Sequence, residues 1–258
     1  MQVSYSRLAP LYFLYILSII LPAILILIYP IGRRITDSLG FIIFLLFLLY
    51  EYFMFKGDLW KLFLTGFVTG FLFELLGTST GFPFGNYKYV AFRSIMFLGV
   101  PIPVAIAWGI YITVAYVTAI YLLRSNASSH GILKYILPPI LMVNIDLALD
   151  PVMVSRRLWV WTDEFPIRWF DVPVTNFIGW FIVSLTILII YYRFGGRSPT
   201  NYLDSKFSHV SPAVYLMLFL SPTLAAIEAG ISLLPILYSL SIYLGLLIIL
   251  FFGLDLLK

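Results

Sequence analysis

Long apolar runs alternate with short polar segments along almost the whole chain. Each run approaches or exceeds the roughly 20 residues that an α-helix needs to cross about 30 Å of hydrocarbon. The connections are mostly short, so the pattern predicts one compact helical bundle of about eight transmembrane helices, or seven if the last two runs form one span. The predicted spans are 8–28, 39–55, 59–76, 97–123, 132–149, 174–192, 211–228 and 231–254.

The composition supports this pattern. Of the 258 residues, 62% are hydrophobic and only 11% are charged, whereas about 25% of the residues in a typical soluble domain are charged. We therefore predict an all-α, multi-pass integral protein of the cell membrane, with residues 1–258 forming a single transmembrane domain that contacts membrane lipid.

Charge and metal-ligating residues exclude several classes of function. The net charge of +4 is small, and the basic residues lie between apolar runs, where Lys and Arg normally flank spans, so we expect no nucleic-acid partner. The absence of cysteine excludes disulfides and thiol catalysis. The two histidines, His130 and His209, lie in polar connecting segments, so we predict no metal site in the membrane.

Two aspartates lie near the end of the fifth predicted span. Asp146 and Asp150 are four residues apart, which places them on one face of a helix. An ionised Asp in the middle of a membrane helix costs roughly 2.5–3.5 kcal/mol on insertion scales, so such residues usually face the bundle interior. Two neighbouring carboxyls in a low-dielectric site do not both ionise easily. One of them is therefore expected to keep a proton and to act as a general acid.

The surroundings of the pair leave a structural alternative open. Proline disfavours the α conformation in the residue before it, so Pro151 predicts that the helix ends at Asp150. The two acids could then be structural partners of Asn144, Arg156 or Arg157 rather than catalytic groups. Asn144 and Arg156 are also candidates for supporting residues around an active site.

Helix direction predicts that the acids gather at one end of the bundle. Glu74 lies near the end of the third span, and Glu228 lies at the end of the seventh. Odd-numbered spans run in the same direction, so these two residues share a leaflet with the aspartates. The loops 77–96 and 151–173 leave the membrane on the same side. We therefore predict a site at this end, with Glu74 as a catalytic residue and Glu228 in a supporting role.

Small and aromatic residues suggest where a substrate binds. Gly66, Gly70, Glu74 and Gly77 form one stripe on the third span, which is suited either to a substrate groove or to close helix packing. Aromatic faces after the acid pair can stabilise a cation, whereas an interfacial aromatic belt is the preferred explanation for Trp169 and Trp180. The candidate substrate-binding residues are Gly70, Gly81, Phe82, Phe84, Tyr87, Trp159, Trp161 and Asn176.

Several motifs together resemble the CruF-like carotenoid biosynthesis proteins, polytopic hydratases that include the bisanhydrobacterioruberin hydratases. The resemblance covers roughly residues 65 to 185. The segments that carry it are Glu74-Leu-Leu-Gly77, Thr80-Gly-Phe-Pro-Phe-Gly-Asn-Tyr-Lys-Tyr89, Asp146-Leu-Ala-Leu-Asp-Pro151, Trp159-Val-Trp161 and Val172-Pro-Val-Thr-Asn-Phe-Ile-Gly-Trp180.

This resemblance implies a hydro-lyase that adds water across the terminal double bond of an acyclic carotenoid and needs no cofactor. Asp146 or Asp150 would donate the proton, and Glu74 with the other aspartate would handle the water. Other carotenoid-biosynthesis enzymes are the candidate protein partners.

Two other functions are compatible with intramembrane acids. A membrane prenyltransferase of isoprenoid metabolism uses Asp-x-x-x-Asp to bind magnesium diphosphate, but such enzymes normally have two facing motifs, and one is present here. A proton-coupled transporter uses buried acids to relay protons. Paired repeats with discontinuous helices would favour that function, and the sequence has no evident repeat.

Overall fold

A computed structural model of the chain describes residues 58–91, 95–123, 130–162, 165–196 and 210–250. Nearly all of these residues belong to one compact unit, Lys61–Lys258. The predicted spans 8–28 and 39–55 lie outside the described residues. The prediction of a single domain over residues 1–258 therefore stays a prediction.

Four helices of the described residues are long and apolar enough to cross a membrane. They correspond to the predicted spans 59–76, 97–123, 132–149 and 174–192, so a membrane helical fold is confirmed, whereas the count of eight spans stays a prediction. These helices are α1 (Asp58–Thr80), α2 (Ile102–Leu122), α3 (His130–Ser155, with a break at Gly131) and α4 (Val174–Arg193).

The predicted span 211–228 is two short helices, α5 (Val210–Met217) and α6 (Leu220–Ala229). Pro222 lacks the amide hydrogen that would continue the helical bonding pattern, and the amides of Leu218 and Phe219 bond three residues back instead of four. Helix α6 ends at a left-handed glycine, and α7 (Leu234–Ile248) follows within the predicted span 231–254.

Helix α3 continues past Pro151 to Ser155, so the prediction that it ends at Asp150 is wrong. Pro151 cannot donate a hydrogen bond to the carbonyl oxygen of Leu147, four residues earlier. That oxygen instead accepts a hydrogen bond from the indole Nε1 of Trp169 at 3.0 Å. Because a side chain from another segment satisfies the free carbonyl, the helix tolerates the proline.

Three short antiparallel strand pairs lie between the long helices. Strand β1 (Tyr87–Tyr89) pairs with β4 (Trp159–Trp161), which joins the loop after α1 to the loop after α3, as expected for loops on the same side. The other pairs are β2 (Met96–Phe97) with β3 (Val100–Pro101) and β5 (Arg168–Trp169) with β6 (Val172–Pro173). Strands β3 and β6 lead directly into α2 and α4, so each hairpin positions the start of a helix.

Helix α3 is central to the packing, since it contacts α2, α4, α6 and α7. Helices α1 and α2 approach closely through glycines. A Cβ atom added at Gly66 would lie 2.9 Å from the Cα of Gly109, closer than real Cβ contacts allow. The acidic segment of α3 is therefore enclosed by neighbouring helices, and the two strand-forming loops lie beyond the end of α3.

Candidate active site

The two aspartates of α3 are buried and share one hydrogen-bond donor. Asp146 and Asp150 are 0% and 3% exposed. The side-chain amide of Asn176, in the first turn of α4, donates from Nδ2 to Oδ2 of each aspartate, at 2.7 Å in both cases. Pro173 is the N-cap residue of α4, so the Asn176 side chain is available to the aspartates. Asn176, which was predicted as a substrate-binding residue, therefore holds the acid pair.

The second oxygen of Asp146 has no hydrogen-bond partner. Among the described residues, Asp146 Oδ1 and Ser184 Oγ are the two buried side-chain oxygen or nitrogen atoms without one. A buried polar atom without a partner is costly and is usually paired in native proteins. The unpaired Asp146 oxygen is therefore a candidate contact for a bound substrate.

Glu74 is also buried, but donors occupy both of its carboxylate oxygens. Oε2 accepts hydrogen bonds from the hydroxyls of Tyr87 at 2.5 Å and Tyr89 at 2.6 Å. Oε1 accepts a bond from the indole Nε1 of Trp108 at 2.9 Å. Three donors around one acidic side chain fix its position. The predicted water-handling role of Glu74 stays a prediction.

The two tyrosines that contact Glu74 lie outside the membrane-spanning helices, on β1. Burial raises the pKa of Tyr87 and of Tyr89, and the adjacent Glu74 carboxylate raises both further. Both hydroxyls therefore keep their protons at neutral pH and act as donors. Asp150 is also close enough to both tyrosines for its charge to raise their pKa. Glu74 and Asp150 therefore belong to one site.

An aromatic cluster lies beside the acids. The ring centroids of Trp108 and Trp180 are 4.3 Å apart, and Tyr111 stacks on Trp180 at 6.5 Å. Tyr111 lies within electrostatic range of Asp146 and Asp150. Trp180 is buried in the bundle with 8% of its surface exposed, so its predicted place in an interfacial belt is wrong. It faces α2 because α4 packs beside the acidic segment of α3.

The two predicted tryptophans, Trp159 and Trp161, lie on β4, which pairs with β1 beside the site. Trp159 packs edge-on against Tyr89 at 5.9 Å, and Trp161 lies 5.9 Å from Tyr87. The indole of Trp161 also donates to the carbonyl oxygen of Phe84 at 3.1 Å. The two tryptophans thus contact the tyrosines that hold Glu74.

The glycine stripe of α1 is filled by protein. A Cβ atom at Gly70 would come within 2.4 Å of the Trp108 side chain, and one at Gly77 would meet Phe84 and Tyr87. The structure therefore favours the helix-packing alternative over a groove at Gly70. Gly70 makes room for Trp108, which in turn contacts Glu74.

The loop after α1 is folded around buried Phe84. Gly81 adopts a φ of +79°, which permits the tight turn. Phe84 lies against Gly179 at the start of α4, whereas Phe82 is 56% exposed. Phe84 is therefore an anchor that joins the loop to α4, and Phe82 lies on the surface of the loop.

The three predicted supporting residues lie in different parts of the structure. Asn144 donates to the Tyr215 hydroxyl at 3.0 Å and accepts from Ser239, so it joins α3 to α5 and α7. Arg156 is half-buried in the turn after α3, and Glu228 is exposed at the end of α6. The donor shared by the aspartates is Asn176, whereas the structural alternative named Asn144, Arg156 or Arg157.

Sequence reasoning missed Trp108, Tyr111 and Tyr89. Trp108 and Tyr111 lie inside an apolar helix, where aromatic side chains are common, and Tyr89 lies in a motif that was recognised without this residue being selected. The available signal for Trp108 was its position well inside the predicted span 97–123.

Within the described residues, no three His, Cys, Asp or Glu side chains gather into a group that could hold a metal ion.

Comparisons with known proteins agree with the character of this site. Residues 15–248 match the family model described as "Carotenoid biosynthesis protein". A protein of Haloarcula japonica named bisanhydrobacterioruberin hydratase is 32% identical over 124 residues. The matched region covers 47% of this chain and 40% of that relative. No solved structure shows a significant match. The family match extends over most of the chain, so this protein belongs to the carotenoid biosynthesis protein family.

Proposed function

We propose that this protein is a carotenoid hydratase that adds water across the terminal C=C bond of an acyclic carotenoid. The observation that carries the proposal is the buried pair of Asp146 and Asp150, bridged by Asn176 and enclosed by apolar helices. Family membership and the hydratase name of the Haloarcula japonica relative support the substrate class and the type of reaction.

The proposed reaction requires an acid and an acceptor for a proton. Protonation of the less substituted alkene carbon gives a tertiary carbocation, and water captures the cation and loses a proton. The oxidation state of the substrate plus water does not change, so the atoms balance without a redox cofactor. Two adjacent carboxyls, one protonated and one ionised, supply both requirements.

The residues around the acids suit a cationic intermediate. The faces of Trp108 and Trp180 offer negative electrostatic potential, and a cation over an aromatic ring gains about 0.5–2 kcal/mol. The Glu74 carboxylate is held in place by three donors, so its charge is oriented before the reaction begins. We propose that Glu74 acts through this fixed charge and through its hydrogen bond to Trp108.

The location of the site suits a substrate dissolved in the bilayer. The acids lie toward the end of α3 that leads into β4, so water can arrive from the loop side while the polyene lies among the helices. We propose that the protein works in the cell membrane and receives an acyclic carotenoid made by other carotenoid-biosynthesis enzymes.

The test is expression of the full chain in a host that accumulates lycopene or another acyclic carotenoid, with mass analysis of the pigments. We expect a new carotenoid heavier by one water and carrying a tertiary hydroxyl. The exposed substitution Asp171→Asn is the control and should give the same product. Failure to hydrate any of several acyclic carotenoids would overturn the proposal, and magnesium-dependent use of a prenyl diphosphate would favour the prenyltransferase instead.

A further inference from the structure

We propose that the two aspartates have different roles, with Asp146 as the proton donor to the alkene and Asp150 as the base that accepts the proton from water. This assignment rests on the proposed hydratase function. It is carried by the hydrogen bonds of the pair, by the depth of each residue along α3 and by the groups that lie near each one.

The hydrogen bonds distinguish the two carboxyls. An asparagine amide has two N–H donors, and Asn176 directs one to Oδ2 of each aspartate. This leaves Asp146 Oδ1 buried without a partner. A bare carboxylate oxygen in that position would have no compensation, whereas a carboxylic acid carries no charge there. A contact between a substrate and this free oxygen would leave the hydrogen bond from Asn176 to Oδ2 in place.

The depth of the two residues agrees with this assignment. Successive turns of α3 separate them by about 6 Å along the helix axis, and Asp146 is the residue farther from the helix end. Asp150 lies nearer to β4 and within electrostatic range of Tyr87 and Tyr89. An alkene approaches from the apolar interior, and water approaches from the loops. Asp146 therefore lies on the alkene side and Asp150 on the water side.

The proposed cycle returns both groups to their starting states. The O–H bond of Asp146 breaks as a C–H bond forms on the alkene, and the carbon next to it becomes a tertiary cation. The oxygen of water then bonds to that cation, and one of its protons passes to Asp150. The two side chains lie within hydrogen-bonding reach of each other, so the proton can pass from Asp150 back to Asp146.

The matched substitutions Asp146→Asn and Asp150→Asn separate the two roles, because Asn keeps the shape of the side chain and can still accept from Asn176. Each should reduce hydration by roughly 100-fold or more, the usual contribution of a general acid or base. Added azide, a nucleophile that needs no base, should restore turnover of Asp150→Asn as a tertiary azide product, and the hydrazoic acid in equilibrium with azide returns the proton to Asp146. Asp146→Asn should form neither product, because the cation is never made.

Each outcome of this experiment is decisive. An azide adduct from Asp146→Asn but not from Asp150→Asn would reverse the assignment, and adducts from both variants or from neither would overturn the separation of roles. Loss of hydration by the wild-type chain itself, with every acyclic carotenoid tested, would instead contradict the proposed function. Thermal unfolding of both purified variants is measured beside that of Asp171→Asn. A cooperative unfolding transition in each shows that the proteins being compared are folded.

Discussion

At the scale of single residues, the site contains three acidic side chains in two different surroundings. Glu74 receives three hydrogen bonds, whereas Asp146 and Asp150 divide the two hydrogens of one amide. A carboxyl with many donors is stabilised as an anion, and a buried carboxyl with few donors is more easily kept as an acid. Carboxyl groups in one site thus have different hydrogen-bond surroundings, which is the basis of the different roles proposed for them.

The tyrosine donors predict how stability depends on pH. Burial, followed by the charge of Glu74, raises the pKa of Tyr87 above its ordinary value near 10. The folded protein therefore keeps a proton that the unfolded chain loses, so the stabilisation is complete below about pH 10 and falls as the pH rises further. We expect Tyr87→Phe to flatten this decline in thermal unfolding measured between about pH 9 and 11.

The control for this measurement is Trp108→Phe, which removes another donor to Glu74 but no titratable group. It should lower the unfolding temperature by a similar amount at every pH. An equal decline above pH 10 in wild type and Tyr87→Phe would show that Tyr87 does not retain its proton as described.

At the scale of secondary-structure elements, α1 and α2 are held at close range by glycines. Because a Cβ at Gly70 would lie 2.4 Å from Trp108, Gly70→Ala should destabilise the protein by about 1–3 kcal/mol and displace the indole from Glu74. Gly245→Ala on α7, where an added Cβ has no neighbour within 4 Å, is the matched control. It should raise stability by roughly 0.5–1 kcal/mol, as Ala for Gly normally does in a helix. Unfolding in detergent micelles measures both.

The contact between Trp169 and α3 gives a second prediction at this scale. Trp169→Phe leaves the Leu147 carbonyl without a donor, which should cost about 1–3 kcal/mol. Pro151→Ala restores a backbone N–H at the position that normally bonds to this carbonyl. The effect of Trp169→Phe should therefore be smaller in the Pro151→Ala background, and a double-mutant cycle of unfolding free energies measures the difference. Strictly additive effects would show that the indole does not substitute for the missing amide.

At the scale of the whole molecule, the structure places the acids and the strand-forming loops together at one end of the helices. Thr162 bonds to Asn86 across the two loops, so both loops lie on one side of the membrane. Phe194, at the other end of α4, is 80% exposed. We therefore expect the site to be adjacent to water on a single side of the membrane.

The absence of native cysteine makes this arrangement testable. Single substitutions Phe82→Cys and Thr162→Cys should react with a membrane-impermeant maleimide from the same side of sealed vesicles. Phe194→Cys should react from the opposite side, because α4 crosses the membrane between them. Labelling of all three from one side would contradict the assignment of α4 as a span.

The sequence was sufficient for the features that depend on local pattern. The positions of the four long helices followed from the length of the apolar runs, and the shared face of Asp146 and Asp150 followed from helical spacing. The meeting of the two loops followed from the direction of alternate spans. These properties depend on the residue types, on the geometry of a single helix and on the order of the spans along the chain, so they need no knowledge of how the helices pack.

Only the tertiary structure decided which groups contact these acids. The three donors to Glu74 come from β1 and α2, and the bridge between the aspartates comes from α4. The continuation of α3 through Pro151 depended on an indole from the hairpin before α4. Such contacts depend on how each helix is rotated and how closely it packs, and many distant side chains contribute to both. The sequence therefore determined that acids lie in the membrane, and packing decided which of them is surrounded by donors and which has a free oxygen.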